Sequence, residues 1–472
     1  MKWISIIALI AFLPFINRPL FIDDHAIFQQ AESLSTRLAT PYSTYPEQLG
    51  WTPGHDVGED NPPIFFYLLA LLIRTLGPTL WKIHLVLFSI HLLGLWAFYG
   101  LAKRFTQYPQ WATLCWLFTP HYFVTAQSLL VDSFLIDLFL LAMFCLTQRW
   151  MLMGALLLGI VPLIKYTGLL SWPIAGLWIL LRKERNSRDW IYFLIPIALF
   201  ASWMLWSRSI YGHDHFTAVA RSRMTWPGLS NYLVLGRFWI GTTPIVLVGL
   251  IGLSQIKQIN REIVFLASWL VLGLVGLSFA LPWVCARFLV IIGPPSVLLS
   301  IVIMENVFPK LLDRFTIRFI VLLPIIVLSL LLAQIDYAQA RNDVAIAQQA
   351  NQWLDNHPAI GNYYYPAAAL GGLSYYLNKA HWQAIEPAKI VQTGSYVLLP
   401  TRTLPSLFWP KLDRAHILER WDYNTWNPLR VLDNPSGAGF YGSIWGALPF
   451  SFSKGPVETY LIVRNENDEQ TK

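Results

Sequence analysis

The sequence predicts a mainly α, polytopic membrane protein. It is read as a bundle of about eleven transmembrane helices with surface helices in the first outer loop and a small C-terminal α/β domain on the outer side. Three observations predict it. Of 472 residues, 55% are hydrophobic and only 13% charged, whereas a soluble globular chain is usually about 25% charged. Apolar runs approaching the roughly 20 residues that a helix needs to cross a bilayer recur as far as residue 335. From residue 336 onward those runs stop, and charge, Pro and Gly return.

The same composition excludes other classes. A disordered chain would be polar and charged, and no fixed internal period marks a fibre or solenoid. The net charge of +7 is assigned to loops on the cytoplasmic side rather than to nucleic-acid binding. Cys115, Cys145 and Cys285 lie in or beside apolar runs, in no CxxC or CxxH pattern, so neither a disulfide framework nor a thiolate metal site is expected.

Taken in order, the expected spans are 3–20, 81–101, 109–127, 130–148, 151–167, 168–181, 190–210, 237–256, 262–282, 287–305 and 319–335. The first resembles a signal peptide, but no small-residue cleavage site follows Ile16, so it is read as a retained helix. Lys165-Tyr166 interrupts 151–181, which suggests two short helices meeting near the outer surface. With Lys2 inside, alternation places Lys103-Arg104, Arg149, Arg182 to Arg188, Lys257 with Arg261, and Lys310, Arg314 and Arg318 all inside. The opposite side receives 21–80, 211–236 and everything after 336. The domains are therefore 1–335 and 336–472.

The loop 21–80 is too long for a simple connection. It holds a helix-like stretch from Asp24 to Leu38. Pro62-Pro63 then suits a helix's first turn, opening Ile64 to Leu76, which is too short to span and reads as an interfacial helix. In the tail, Arg341 to His357 has helical periodicity, and Ser395 to Leu399 and Glu458 to Val463 read as strands.

The chemistry is expected where charges gather at the outer surface. Asp23-Asp24 follows the first span. Either residue suits a helix N-cap, but two adjacent carboxylates repel, which one cap does not explain. Asp132 opens a span and permits the same two readings. Asp137 lies deeper and is expected to pair with a buried polar group. Lys165 either snorkels its ammonium to the interface or offers a point charge to a phosphate. Arg287 is the only basic residue of its short outer loop, and Arg208, Arg221, Arg223 and Arg237 add a basic cluster. Carboxylates and cations on one face suit an anionic lipid headgroup and proton abstraction. His25 neighbours the acidic pair, His55 precedes Asp56, and His213-Asp214-His215 lacks a shared helical face for zinc. No phosphate-binding Gly loop or GxSxG is present.

Five segments, in order, resemble a known family. They are Asp23-Asp24 with Ala31 downstream; Asn61-Pro62-Pro63-Ile64-Phe65-Phe66-Tyr67; Leu130-Val131-Asp132; Gly159-Ile160-Val161-Pro162-Leu163-Ile164-Lys165-Tyr166-Thr167; and Ala286-Arg287-Phe288-Leu289 with Pro294-Pro295. Over about residues 15–300 the set resembles the GT-C class of integral-membrane glycosyltransferases, on the branch of bacterial relatives of protein O-mannosyltransferases and the lipid A aminoarabinose transferase. Two departures stand out: Asn61 where the family often has His or Lys before the Pro pair, and Asp-Asp where it commonly has Asp-Glu.

The resemblance implies a GT-C-like fold and sugar transfer from a polyprenyl-phosphate donor to a glycan, lipid or protein hydroxyl. It places the protein in the bacterial inner membrane, with a cytoplasmic N-terminus and a periplasmic tail, acting as a monomer among membrane lipids and without nucleic acid. Asp23, Asp24 and Asp132 are the expected catalytic residues, with Asp23 as base. Lys165, Arg287, Arg221 and Arg223 are expected to meet the donor phosphate, and Asp60, Asn61, His25 and Tyr166 the substrates. Some members use a divalent metal and others do not. Mg, Mn or Zn is therefore left open, with Asp24 and Asp132 as the residues to hold it. Two alternatives remain: a flippase for lipid-linked sugars, and a polymerase or ligase using a diphosphate-linked donor.

Overall fold

The computed structural model describes residues 1–36, 41–42, 61–182, 186–223, 229–256, 258–280, 283–357, 362–367, 372–378 and 382–466. Its helices follow the apolar pattern but break at prolines and at the turns around Lys165. α1 (Lys2–Phe12) runs on as a 3-10 turn, Leu13–Phe15. α2 (Asp24–Thr36) and α3 (Ile64–Leu76) are the two surface helices expected in the first loop. Pro63 occupies the N-cap position of α3, one residue before its first turn, and Gly77, at φ +77°, its C-cap.

α4 (Leu80–Phe105) is a full-length span. The expected span 109–127 is instead two short helices, α5 (Pro109–Leu117) and α6 (Pro120–Thr125). Pro120 has no N–H for the helical ladder and forces the break. α7 (Val131–Thr147) and α8 (Met151–Ile160) follow. After α8 a 3-10 turn, Val161–Leu163, leads to Lys165 in extended conformation, then a second turn, Tyr166–Leu170, and α9 (Ser171–Leu181). This is the pair of short helices read from Lys165-Tyr166. Gly168 permits it: a Cβ there would sit 2.7 Å from the Val161 carbonyl oxygen.

α10 (Leu194–Tyr211) and α11 (His215–Arg223) come next. The expected span 237–256 is a bent pair, α12 (Leu229–Thr242) and α13 (Ile245–Leu253), turned by 108° around Thr243-Pro244. α14 (Arg261–Ala280) is followed by a 3-10 turn, Ala286–Ile291, that carries Arg287 into α15 (Gly293–Val307). After the short α16 (Pro309–Leu312), α17 (Phe315–Asn356) runs unbroken for 42 residues. It passes straight through 335–336, where composition alone placed a boundary.

Among the described residues, four helices are long and apolar enough to cross a membrane: Leu80–Phe105, Ser187–Tyr211, Arg261–Phe279 and Phe315–Asn356, or five with the bent pair as one span. The chain is thus a multi-pass membrane protein. Several of the eleven expected spans are short or broken helices by length.

The tail has two parts. β1 (Tyr363–Pro366), β2 (Gln383–Ile385), β3 (Tyr396–Pro400), β4 (Arg414–Tyr423) and β9 (Glu458–Glu466) form one sheet in the order β2-β1-β3-β9-β4. α18 (Gly372–Asn378) and the end of α17 cover it, and its core includes Ile346, Trp353, Leu373 and Leu398. The second part carries two small ribbons, β5 (Leu429–Arg430) with β8 (Ser451–Phe452), and β6 (Leu432–Asp433) with β7 (Ala438–Gly439). Its buried residues Leu429, Val431, Phe440, Tyr441 and Val457 belong to the same core as the helical bundle.

Candidate active site

Four of the expected residues come together from four separate elements. Arg287 Nη1 lies 2.5 Å from Asp23 Oδ2, and its Nε is 3.8 Å from Asp132 Oδ2. Lys165 Nζ donates to Asp132 Oδ1 at 2.7 Å. Asp23, Arg287, Asp132 and Lys165 therefore form one alternating chain of charge. Two carboxylates neutralise two cations, which is what keeps four ionisable groups tolerable at this burial. Phe288 floors the chain, with the Lys165 ammonium 4.2 Å from its ring centroid. A cation over an aromatic face keeps part of its stabilisation when water is excluded.

Local structure aims each group. Lys165 sits at the apex between the two 3-10 turns. Asp132 lies in the first turn of α7, but its carboxylate goes to Lys165 and α7 has no side-chain cap. Asp23 follows Ile22, whose φ is +52°. A β-branched residue in the left-handed region is strained, and such strain gathers where surroundings over-determine a functional turn.

Asp24 faces a different set of partners. Its Oδ2 accepts from Arg18 Nη1 at 2.5 Å, and its Oδ1 from the Leu129 N–H at 2.9 Å. Arg18 Nε also donates to Asp336 Oδ2 at 2.8 Å, and Tyr441 Oη donates to Asp336 Oδ1 at 2.5 Å. All four side chains are buried. Burial pushes the Asp24 carboxyl up to about 6, with Arg18 pulling the other way. Sequence reasoning missed Arg18, Asp336 and Tyr441. The one available signal was an acidic residue, Asp336, at the end of an apolar stretch.

The remaining expected residues lie as follows. His25 bonds through Nδ1 to the Ile22 carbonyl at 2.6 Å, and burial lowers its pKa. Tyr166 Oη meets His215 Nδ1 at 2.6 Å and accepts from Trp203 Nε1 at 3.0 Å. His215 stacks on Tyr42, whose hydroxyl donates to the Asn61 carbonyl at 2.8 Å. Tyr166 and Asn61 thus belong to one aromatic wall beside Lys165. Arg221 is exposed on α11. The Arg223 side chain, Asp60 and His55 lie outside the described residues. Asp137 pairs with His91 at 2.5 Å and accepts from Tyr122 at 2.9 Å, as its depth predicted.

Among the described residues no three His, Cys, Asp or Glu side chains group to hold a metal. Asp24 is occupied by Arg18 and a backbone N–H, and Asp132 by Lys165. Both carboxylates are thus engaged by cations in this arrangement.

The helical bundle has the fold of the solved structure of ArnT. No protein-family profile and no curated protein sequence matches the chain. Among solved structures, ArnT from Cupriavidus metallidurans bound to undecaprenyl phosphate has a TM-score of 0.54 at 14% identity, over 80% of this chain and 85% of that one. Its apo state gives 0.53 at 14%, over 83% and 86%. Arabinofuranosyltransferase AftD from mycobacteria gives 0.47 at 14%, over 82% of this chain and 33% of that one. At this identity the likeness is one of fold.

Proposed function

We propose that the protein is a membrane-embedded glycosyltransferase that moves a sugar from a polyprenyl-phosphate carrier to an acceptor hydroxyl, with inversion at the anomeric carbon. The observation that carries this is the alternating Asp23–Arg287–Asp132–Lys165 chain in a bundle with the fold of ArnT. The ArnT structure with bound undecaprenyl phosphate supports the choice of donor.

Each cation rests against a carboxylate in this state. An entering donor phosphate competes for Arg287 and Lys165 and frees Asp23. The acceptor oxygen then attacks the anomeric carbon, its proton passes to the Asp23 carboxylate, and the bond from that carbon to the phosphate oxygen breaks. The leaving polyprenyl phosphate gains one negative charge, which Arg287 and Lys165 stabilise. Asp132 holds the two cations apart and in place. Asp24 anchors the turn that carries Asp23. Asn61, Tyr166 and His25, with Asp60, are the proposed substrate contacts, and Arg221 and Arg223 a second basic patch for the donor headgroup. The site faces the periplasm across a bacterial inner membrane, with the N-terminus cytoplasmic.

The test is transfer of labelled sugar by purified protein from a polyprenyl-monophosphate donor to an envelope glycolipid fraction. Asp23→Asn is expected to lower it by about 10² to 10⁴-fold, the usual share of a general base. Transfer only from a diphosphate-linked donor would make the protein a polymerase or ligase. Movement of the lipid across liposomes without transfer would make it a flippase.

A further inference from the structure

The second part of the tail touches both arms of the charged cluster. The first arm is carboxylate. Tyr441 donates to Asp336, Asp336 accepts from Arg18, and Arg18 donates to Asp24, one residue from Asp23. The Tyr441 ring also meets Phe21 edge-on at 5.9 Å, under the same turn. The second arm is cationic. The Ala286 N–H donates to the Phe440 carbonyl at 2.8 Å, and the Ser443 N–H to the Val284 carbonyl at 2.7 Å. The Val284 N–H donates in return to Ser443 Oγ at 3.1 Å. These bonds fix the backbone immediately before Arg287.

The segment itself is held stiffly. A Cβ on Gly439 would lie 2.4 Å from the Gly446 carbonyl oxygen, and one on Gly446 2.2 Å from Gly437 backbone. The loop is thus packed backbone to backbone. It is also tied to α17, where Gln339 Nε2 donates to the Leu432 carbonyl at 2.8 Å.

We infer that residues 440–443 are a brace that sets the distance between Asp23 and Arg287, with Tyr441 and Ser443 as positioning residues for the reaction. Neither residue meets substrate. Tyr441 acts through Asp336 and Arg18 on the turn carrying the base, and Ser443 through Val284 on the backbone carrying the phosphate-binding cation. This rests on the glycosyltransferase reading of the cluster.

The two arms predict different kinetics, which a general loss of folding would not. Tyr441→Phe removes the hydroxyl that holds Asp336, so the base is misaimed. Its kcat is expected to fall between about tenfold and a hundredfold, the scale of a displacement near 1 Å, with donor KM unchanged. Ser443→Ala loosens the backbone before Arg287, so donor KM is expected to rise about tenfold and kcat to fall less. Binding of undecaprenyl phosphate alone, measured by native mass spectrometry, is expected to weaken in Ser443→Ala and to hold in Tyr441→Phe.

Equal losses of kcat and binding in both variants, matching a smaller folded fraction, would overturn the brace. So would full activity in both while wild type transfers sugar. Wild-type protein that neither transfers sugar nor binds the lipid phosphate would overturn the glycosyltransferase reading, and the brace with it.

Discussion

Asp23 and Asp24 are neighbours in sequence with different partners. Asp23 meets Arg287, which Asp132 also approaches, so neutralising Asp23 leaves the guanidinium a partner. Asp24 is locked against Arg18 and the Leu129 N–H. Asp23→Asn is therefore expected to lower transfer by about 10² to 10⁴-fold with little change in melting temperature. Arg18→Ala leaves two buried carboxylates without a counter-ion and is expected to cost about 3–5 kcal/mol, the scale for breaking a buried pair, read as lost folded protein in a thermal melt. Asp24→Asn is milder. The folded pKa of Asp24, about 6, lies above its ordinary 3.8, so its contribution is greatest at low pH and lost as pH rises through about 6. Wild-type stability relative to Asp24→Asn is thus expected to decline between about pH 4 and pH 7. The acidic pair stood out in the sequence as a candidate. The division of labour within it was not, because Arg18 and Asp336 are 318 residues apart in the chain.

At the scale of elements, the two surface helices α2 and α3 were legible in the first loop, and the apolar span 81–101 lies inside the longer α4 (Leu80–Phe105). Counting apolar length did not reveal the breaks within 109–127 and 237–256. Pro120 and Pro244 were in plain view there, but a hydropathy window averages over a missing N–H. The break at Lys165 was readable because a charged residue interrupts the run. Its support, Gly168, was not, since nothing local announces that its Cα approaches the Val161 carbonyl. Gly168→Val is expected to separate the two 3-10 turns and move Lys165 off Asp132. The kcat should fall by about 10² to 10³-fold, while the melting temperature falls by less than in Arg18→Ala. The loss of one electrostatic contact to the phosphate sets that scale.

At the scale of the whole molecule, composition separated bundle from tail, and packing joins them again. α17 spans the compositional boundary, and Leu429, Val431, Phe440 and Tyr441 fill the bundle's core. Sequence cannot show this, because an apolar residue in a polar tail does not say which core it enters. Ending the chain after residue 428 would expose that core and remove both arms of the brace. The shortened protein is expected to aggregate on extraction, seen by size-exclusion chromatography in detergent, rather than to persist as an inactive bundle. Reporter fusions at the N-terminus and after residue 466 are expected to place the two ends on opposite sides of the membrane, as the basic loops require.

In the proposed reaction the charged chain transfers sugar from a lipid monophosphate with Asp23 as base. The most direct measurement is single-turnover transfer from a labelled polyprenyl-phosphate sugar by wild type and Asp23→Asn, with lipid-phosphate binding measured on the same samples. The expected result is transfer by wild type, a loss of about 10² to 10⁴-fold in the variant, and retained binding in both. Full transfer by Asp23→Asn would contradict it.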